Sequence, residues 1–372
     1  MKVLGLASYP IEAAATRYRL SQFVGPLADR GITLTIRPFL DSRLFKMLYH
    51  RGALPRKVIA LLVSVLRRMK VLASLGPANV ILVQREAMIF GPPVVEWMAV
   101  RLFKRPMVLD LDDATYVSYT SPTYGRLGKT LKWFSKTDDL IRWASVVTCG
   151  NRAIAEYAES KGARTRIIPT VVDTEVFRPV TKEAGEVPVL GWIGTHSTFP
   201  YLEKIFPVLQ ELARAQQFKL KIVGSGKAAV EIPGVEVENL EWKLEREVAD
   251  FQSFDIGLYP IDPTLYAEKW AAGKSGFKAI QYMAVGVPYV ATPVGAIQEI
   301  GETGVTHLHA VAPEEWREAL SRLLADAGLR SSMGAAGRDH VVQHFSLPAQ
   351  AEKLALAIYE AAGTKGRKTL SE

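Results

Sequence analysis

The stretch WAAGKSGFKAIQYMAVGVPYVATPVGAIQE, residues 270–299, decides the fold expected for this chain. It contains a glycine loop, a helix, a tight turn, a strand and a second glycine loop. Lys274, Lys278 and Gln281 are spaced i, i+4 and i+7, which predicts that they share one face of the helix. Gly286 is expected to end the helix, because glycine commonly follows a helix and the proline two residues later cannot continue one.

The second half of the stretch predicts a place for an anionic ligand. The apolar run 288–292 is typical of a buried parallel strand. Gly295 lets the backbone approach a ligand, and the amides of Ala296 and Ile297 are expected to open the next helix, with Glu299 close behind. A cationic helix face beside a helix N-terminus suits a nucleotide diphosphate. A solvated helix face in an ordinary strand–loop–helix unit would give the same pattern, so both interpretations stay open.

Strands alternate with helices along the whole chain, which predicts an α/β protein with doubly wound parallel sheets. The length of 372 residues and the polar segment DTEVFRPVTKEAGEVP, 173–188, indicate two domains. We expect the first domain to cover residues 1–178 and the second to cover 186–346. Ligands of open α/β sheets bind beyond the carboxyl ends of the strands, so two such domains predict a cleft between them.

Two further loops of the second domain follow predicted strands and have N–H groups and hydroxyls that suit phosphate. Gly194, Thr195 and His196 follow one strand, and Gly224 follows the next. Tight turns would explain both loops equally well. His196 has no second histidine nearby in the sequence, which favours contact with a ligand over metal binding.

A group of carboxylates closes a predicted strand of the first domain, at 106–111. Asp110, Asp112 and Asp113 could bind a metal, act as a base or hold sugar hydroxyls at this position. A cluster that caps the N-terminus of a helix is the structural alternative, and the sequence does not separate the two.

Positive charge is concentrated in the first half of the chain. Residues 1–180 contain 27 Lys and Arg against 14 Asp and Glu, whereas the remainder contains 19 against 24. The interval 42–85 has nine basic residues and no acidic one, with Leu44, Phe45 and Tyr49 among them. An acidic partner is indicated: anionic lipid, a phosphorylated acceptor or nucleic acid, with a solvated basic face as the alternative. We expect an anionic membrane surface and no nucleic acid, because apolar residues are interleaved with the charges.

Cysteine usage and apolar run lengths suggest where the chain works. Cys149 is the only cysteine, so no intrachain disulfide can form and a reducing compartment is expected. No secretory signal is recognisable at the start, and the apolar run 58–66 is shorter than the roughly 20 residues of a spanning helix. We therefore expect a cytoplasmic protein, peripheral at the inner face of the cell membrane. No zinc spacing and no Ser-His-Asp or Cys-His order is recognisable, and we expect no bound cofactor.

The signature of family 4 glycosyltransferases with the GT-B fold is similar to four stretches of this chain: FDIGLYPIDPTLYAEKWAAGKSGFKAIQYMAVGVPYVATPVGAIQEI, GWIGTHSTFPYL, CGNRAIAEYAESKGARTRIIPTVVDTEVF and LRSSMGAAGRDHVVQHFS. The resemblance implies two Rossmann-like domains facing across a cleft, with the last helix, 347–372, crossing back to the first domain. It also implies transfer of a sugar from a nucleotide diphosphate donor, UDP or GDP, with retention of configuration and without a metal.

Several family positions are occupied by other residue types here. Gln281 stands where the family usually has a glutamate that grips the donor ribose, and Gly273 where its partner glutamate stands. Thr195 lies near the position of the usual diphosphate arginine, and Asp112 replaces a histidine beside the donor sugar. Lys274 and Lys278 would then supply the positive charge on the diphosphate.

The resemblance implies a retaining glycosyltransferase, of a bacterial surface-glycan type, acting on a glycan or lipid-linked acceptor. Lys274, Lys278 and Asp112 are the expected catalytic residues. The acceptor side is expected to include Arg17, Arg19, Arg85, Glu86, Asp110 and Asp113. Two alternatives stay open: a nucleotide-sugar epimerase of the same architecture, and a non-catalytic GT-B partner protein.

Overall fold

The computed structural model describes residues 1–49, 54–118, 132–181, 187–262 and 272–363. The chain divides into two compact units. The first combines Met1–Val171 with Leu347–Glu372, and the second comprises Val172–Ser346. The division falls just ahead of the polar segment that was predicted to link two domains.

The first unit contains a parallel six-stranded sheet in the order β2-β1-β3-β4-β5-β6. Of its strands, the four inner ones are buried and rich in Val, Leu and Ile, as expected for a sheet covered on both faces, and the two at the edges are partly exposed. Their bounds are β1 Lys2–Ala7, β2 Thr33–Pro38, β3 Val80–Gln84, β4 Met107–Leu111, β5 Val146–Cys149 and β6 Thr165–Ile167.

Helices connect these strands. Their bounds are α1 Ala14–Arg19, α2 Val24–Ala28, α3 Ser42–Tyr49, α4 Leu54–Val71, α5 Val94–Trp97, α6 Lys136–Trp143 and α7 Arg152–Ser160, with short 3-10 or π turns at Ser21–Phe23, Leu72–Leu75 and Met98–Leu102. Asn151 caps α7 by accepting a 2.9 Å hydrogen bond from the Ile154 amide, as its position in the sequence predicts.

The second unit repeats the architecture, with a parallel sheet in the order β12-β11-β10-β7-β8-β9. The strands are β7 Val189–Ile193, β8 Lys219–Val223, β9 Glu236–Leu240, β10 Ile256–Tyr259, β11 Tyr289–Ala291 and β12 Leu308–His309. The helices are α8 Phe199–Glu203, α9 Phe206–Ala213, α10 Glu247–Gln252, α11 Phe277–Ala284, α12 Pro313–Ala325 and α13 Ala327–His344, with 3-10 turns at Leu244–Arg246 and Gly295–Gln298. The predicted α/β class with two doubly wound parallel sheets is confirmed.

The last helix, α14 Leu347–Ala361, belongs to the first unit by its contacts with α2, β4 and β5. Tyr359 donates a 2.7 Å hydrogen bond to the Arg30 carbonyl, and Arg166 pairs with Glu360 at 2.9 Å. The rest of the predicted final helix, 364–372, lies outside the described residues.

Close packing between sheet and helix fixes α11 in the second unit. A Cβ atom on Gly257 would lie 2.6 Å from the Tyr282 ring, so only glycine permits this approach. The Tyr282 hydroxyl donates to the carbonyls of Gly191 and Leu258, each at 3.1 Å, and is thereby held against two neighbouring strands. At its C-terminus α11 ends as predicted in a Schellman motif, with Gly286 at a φ of 71°.

In each sheet the chain first adds strands toward one edge and then toward the other. This reversal point lies between β1 and β3 in the first unit and between β7 and β10 in the second. At such points the loops after neighbouring strands lead to opposite faces and leave a crevice at the carboxyl edge. Ligands of open α/β sheets bind in this crevice. The topology therefore marks the loops that follow β7 and β10 as a candidate site.

Candidate functional site

Lys274 lies outside the helix that was predicted to include it. The helix α11 begins at Phe277, and Gly276 before it adopts a left-handed φ of 63°. The prediction that Lys274, Lys278 and Gln281 share one helix face is therefore wrong for Lys274. A helix cannot pass through a left-handed residue, and the sequence pattern gave no weight to that glycine.

Lys278 lies at the start of α11, above the carboxyl end of β10. Its Nζ atom is 5.8 Å from the centre of the Tyr259 ring. Burial, and then repulsion from Lys274, lower the pKa of Lys278 to about 8, while Glu247 acts in the opposite direction. Within the part of the chain that the structure describes, Lys278 has no salt-bridge partner. It is a partly buried ammonium group that an anion would stabilise.

Gln281 lies one turn after Lys278 on the same helix and is 3% exposed. Its Nε2 atom is buried and finds no hydrogen-bond acceptor among the described residues. An unsatisfied buried donor costs about 1–3 kcal/mol, which a ligand oxygen at this position would offset. Gly273, where the family pattern has the partner glutamate, is buried and brings no charge.

The second glycine loop does not open a helix as expected. Gly295–Gln298 forms a single 3-10 turn. The Ala296 amide donates to the Lys274 carbonyl at 3.2 Å, and the Ile297 amide donates to the Val294 carbonyl at 3.2 Å. Both amides are thus occupied within the protein, and the prediction of a helix N-terminus for phosphate is wrong here. The loop instead fixes the backbone of Lys274. Glu299, just beyond the turn, is exposed.

The loops after β7 and β8 form one surface. A Cβ atom on Gly224, whose φ is 83°, would lie 2.4 Å from the Gly194 carbonyl oxygen, and one on Gly226 would lie 2.6 Å from His196 Cβ. Thr195 and His196 are exposed. The Thr195 amide is satisfied by Thr198 Oγ1 at 3.1 Å, so the hydroxyls and the imidazole are the groups that this surface presents.

Two predicted acceptor-side residues form a buried ion pair in the first unit. Arg19 and Asp110 are each 3% exposed, and Arg19 Nε donates to Asp110 Oδ2 at 2.9 Å. Arg19 also donates to the Ile168 carbonyl at 2.6 Å, and Thr148 donates to Asp110 at 2.6 Å. The pair ties α1 to the strand ends of the sheet and does not face an acceptor.

Arg85 and Asp112 form a second ion pair nearer the surface. Arg85 Nε lies 2.6 Å from Asp112 Oδ1, and Nη2 lies 2.7 Å from Oδ2. Burial alone would raise the pKa of Asp112, but the Arg85 guanidinium holds it below its usual value. Asp112 is therefore a carboxylate with a committed partner, and the described residues directly after it, 113–118, form turns and bends rather than a helix that it could cap. Asp113 lies 3.9 Å from the same guanidinium.

The remaining acceptor-side candidates are also engaged within the first unit. Glu86 pairs at 2.7 Å with Lys136, which is 2% exposed and also donates to the Met88 carbonyl at 2.8 Å. Arg17 Nη1 donates to the Glu12 carbonyl at 3.1 Å and supports the loop before α1. Lys136 was missed by the sequence reasoning, because nothing in its local pattern distinguishes it from a surface lysine.

No three side chains of His, Cys, Asp or Glu are grouped so as to hold a metal ion within the described ranges. Nor does any described helix combine the length and apolarity needed to cross a membrane.

Comparison with known proteins finds a family that the second unit resembles. Residues 187–326 match the family model described as "Glycosyl transferases group 1". The match lies within the second unit and leaves the first unit outside it. The chain is also similar to D-inositol 3-phosphate glycosyltransferase of Corynebacterium aurimucosum, with 36% identity over 110 residues. That match covers 29% of this chain and only 24% of the relative.

Solved glycosyltransferase structures share the fold over nearly the whole chain. Sucrose-phosphate synthase from Thermosynechococcus elongatus superposes with a TM-score of 0.66 at 16% identity, covering 95% of this chain and 96% of that one. Anabaena HepE in complex with UDP and glucose gives 0.67 at 16% identity, covering 95% and 98%. The two sheets thus match the GT-B architecture that the resemblance implied.

Proposed function

We propose that the protein is a retaining glycosyltransferase of family 4 type that uses a nucleotide diphosphate sugar, with UDP or GDP as the nucleotide. The observation that carries this proposal is Lys278, a partly buried ammonium group without a salt-bridge partner in the described chain, at the reversal point of a glycosyltransferase group 1 domain. HepE, a protein of the same fold, was solved with UDP and glucose.

The donor would bind at the carboxyl edge of the second sheet. The diphosphate would lie against Lys278, with Lys274 on the loop beside it, and the exposed hydroxyl of Thr195 would approach from the loop after β7. The unsatisfied amide of Gln281 suits a ribose hydroxyl, because an amide N–H donates to an oxygen just as an arginine or backbone amide does.

The chemistry then depends on the leaving diphosphate. The bond between the sugar C1 and the phosphate oxygen breaks, and a bond from C1 to the acceptor oxygen forms on the same face. The acceptor proton passes to an oxygen of the departing diphosphate. Negative charge accumulates on the diphosphate, and the lysines stabilise it there, which is the usual largest contribution in such sites. No protein carboxylate is needed as a base, and no metal is required.

The acceptor would be a glycan or a lipid-linked sugar of a bacterial surface glycan, handled by the first unit in the cytoplasm. An epimerase is less well supported, because its acid and base would have to come from carboxylates such as Asp110 and Asp112. Each of these is held in an ion pair. In the first unit, Asp113, whose side chain is 28% exposed, would be the carboxylate that meets acceptor hydroxyls.

A panel of UDP-, GDP- and ADP-sugars tests the proposal. The purified protein is incubated with each donor, with and without EDTA, and free nucleotide and the anomeric configuration of the product are followed by NMR. We expect slow nucleotide release from one donor class, unchanged by EDTA. Appearance of an epimeric donor would establish the epimerase instead. If no donor released nucleotide and none was epimerised, the protein would be non-catalytic.

A further inference from the structure

The helix α4 presents an apolar strip to solvent. Ile59 is 62% exposed, Leu62 is 60% exposed and Leu66 is 64% exposed. Their spacing of i, i+3 and i+7 places them on one face of the helix. Val58 and Val63 beside them are also exposed. Scattered apolar residues on a surface need no explanation, but a continuous strip over two turns does.

The opposite face of α4 is anchored, so the helix cannot rotate to bury this strip. Arg68 is 1% exposed and donates to the carbonyls of Ala7 at 2.8 Å and Arg37 at 2.9 Å. Ser64 is buried on the same side, and Leu61 packs against the apolar cluster that includes Phe39. The outward position of the strip is a fixed property of the first unit.

Basic side chains surround the strip. Arg56 lies in the first turn of α4 and Lys70 in the last, and both are exposed. Arg67 is also exposed, although it pairs with Asp41 at 2.7 Å. The sequence from 42 to 85 contains no acidic residue, so no carboxylate on α3 or α4 competes for these charges. An apolar face with a cationic border suits the boundary between headgroups and acyl chains of an anionic bilayer.

The helix α3 does not share this role, contrary to the sequence expectation. Leu44 is 2% exposed, and the Phe45 ring packs edge-on against Tyr9 with 5.8 Å between ring centres. The side chain of Tyr49 lies outside the described residues. Of these two helices, α4 therefore carries the exposed apolar strip among the described side chains.

We propose that α4 docks the first unit on an anionic lipid bilayer, with Ile59, Leu62 and Leu66 inserted among the acyl chains and Arg56 and Lys70 against the headgroups. Pairing of two α4 strips in a dimer would bring two basic borders together, so charge complementarity favours the bilayer. The helix would lie along the surface rather than span it. This inference is independent of the donor site, which belongs to the second unit.

Vesicle flotation tests the proposal. The full chain is mixed with vesicles of phosphatidylcholine alone or of phosphatidylcholine with phosphatidylglycerol, at low and high salt. We expect flotation only with the anionic lipid at low salt. Each basic side chain engaged at such a surface changes the ratio of bound to free protein about fivefold. The double variant Arg56→Glu with Lys70→Glu should therefore lower this ratio by at least about fivefold.

The apolar part of the contact is tested by Ile59→Ser, Leu62→Ser and Leu66→Ser together. This variant should lose flotation while keeping its circular dichroism spectrum. The matched control is Leu356→Ser on α14, which removes a 46% exposed leucine of the same unit and should float like the native chain. The proposal is overturned if the native chain stays in the soluble fraction at low salt, or if the triple variant still floats. Dimerisation that the triple variant abolishes, without flotation, would assign the strip to a second copy.

Discussion

The ammonium group of Lys278 lies 5.8 Å from the centre of the Tyr259 ring, at the carboxyl edge of the second sheet. A ring face attracts a cation but does not neutralise it, so Lys278 keeps a net positive field in a partly buried position. In the first unit, by contrast, the charge of Asp112 is neutralised by its ion pair with Arg85. A charge that has a partner holds the fold together, whereas a charge without one is available to a ligand.

Removing the lysine charge should weaken nucleotide binding. We expect Lys278→Ala to lose about 1–3 kcal/mol of UDP or GDP affinity, the cost of one charge-assisted hydrogen bond, and Lys274→Ala to lose a similar amount. Isothermal titration calorimetry measures the change. Lys219→Ala is the matched control, because Lys219 pairs with Glu236 at 3.0 Å on a surface strand. Native affinity in both lysine variants would contradict the donor site proposed here.

The lowered pKa of Lys278 gives nucleotide binding a pH dependence. Burial and Lys274 lower that pKa to about 8, so the ammonium form is present below pH 8 and is lost as the pH rises through it. We expect UDP affinity to fall between about pH 7 and 9.5. The charge of the phosphates is constant over this range, because their second pKa is about 6, so the ligand does not cause the change. Lys278→Arg should bind with little pH dependence, because guanidinium stays protonated. An equal decline in both proteins would assign the effect to another group.

Arg85 and Asp112 should be energetically coupled. Arg85 has a left-handed φ of 62°, which is strained for a residue with a side chain, and the ion pair holds it there. We expect Asp112→Asn to lower the free energy of unfolding by about 1–3 kcal/mol, because it leaves a guanidinium without its partner. In urea unfolding, Arg85→Gly with Asp112→Asn should cost less than the sum of the single variants. UDP affinity should stay unchanged, since the proposed donor site lies in the second unit.

Simple additivity would show that the two residues act separately. Arg142→Ala serves as the comparison, because its pair with Asp139 is exposed and should contribute little. If Asp112→Asn kept native stability but lowered turnover, Asp112 would act directly on the sugar, as the sequence resemblance suggested.

His307 should make the second unit sensitive to acid. Burial, and then His309 and His340, lower the pKa of His307 to about 4. Its ring stacks on Tyr289 and its Nε2 lies 2.9 Å from His309 Nε2. The unfolded state takes up a proton near pH 6.5 and the folded state only near pH 4, so stability is lost as the pH falls between these values.

The loss by pH 5 is expected to be about 2 kcal/mol, because one pKa unit corresponds to about 1.4 kcal/mol. Thermal unfolding at pH 7.5 and pH 5 measures it. His307→Gln should remove most of this dependence, whereas His196→Gln, which changes an exposed histidine, should retain it. The idea fails if the His307 variant loses as much stability in acid as the native chain.

Apolar patterning predicted the strands well. The predicted strands at 106–111 and 288–292 agree to within one residue at each end with β4 and β11, because buried parallel strands appear as unbroken apolar runs between glycines and polar residues. The strand β12 was missed, since two residues carry no periodicity. The start of α11 was misplaced because of the left-handed Gly276, where a Cβ atom would lie 2.5 Å from the Ile300 side chain.

The site residues were harder to predict, for a physical reason. Sequence spacing shows which side chains lie near one another on an element, but not which charges meet across the fold. Arg19 and Asp110 are 91 residues apart, and Glu86, in the loop after β3, pairs with Lys136 on α6. Nothing local distinguishes these paired residues from Lys278, whose lack of a salt-bridge partner in the described chain is visible only in three dimensions.

The hydroxyl of Tyr282 bridges the carbonyls of Gly191 and Leu258 and so locks α11 to the two strands at the reversal point. The lysine one turn earlier on α11 is consequently in place before any nucleotide arrives. Little conformational entropy remains to be lost when the diphosphate binds, and association needs no prior rearrangement of this part of the unit. The variant Tyr282→Phe removes this hydroxyl. It would lower the association rate of the nucleotide without removing any side chain proposed to contact it.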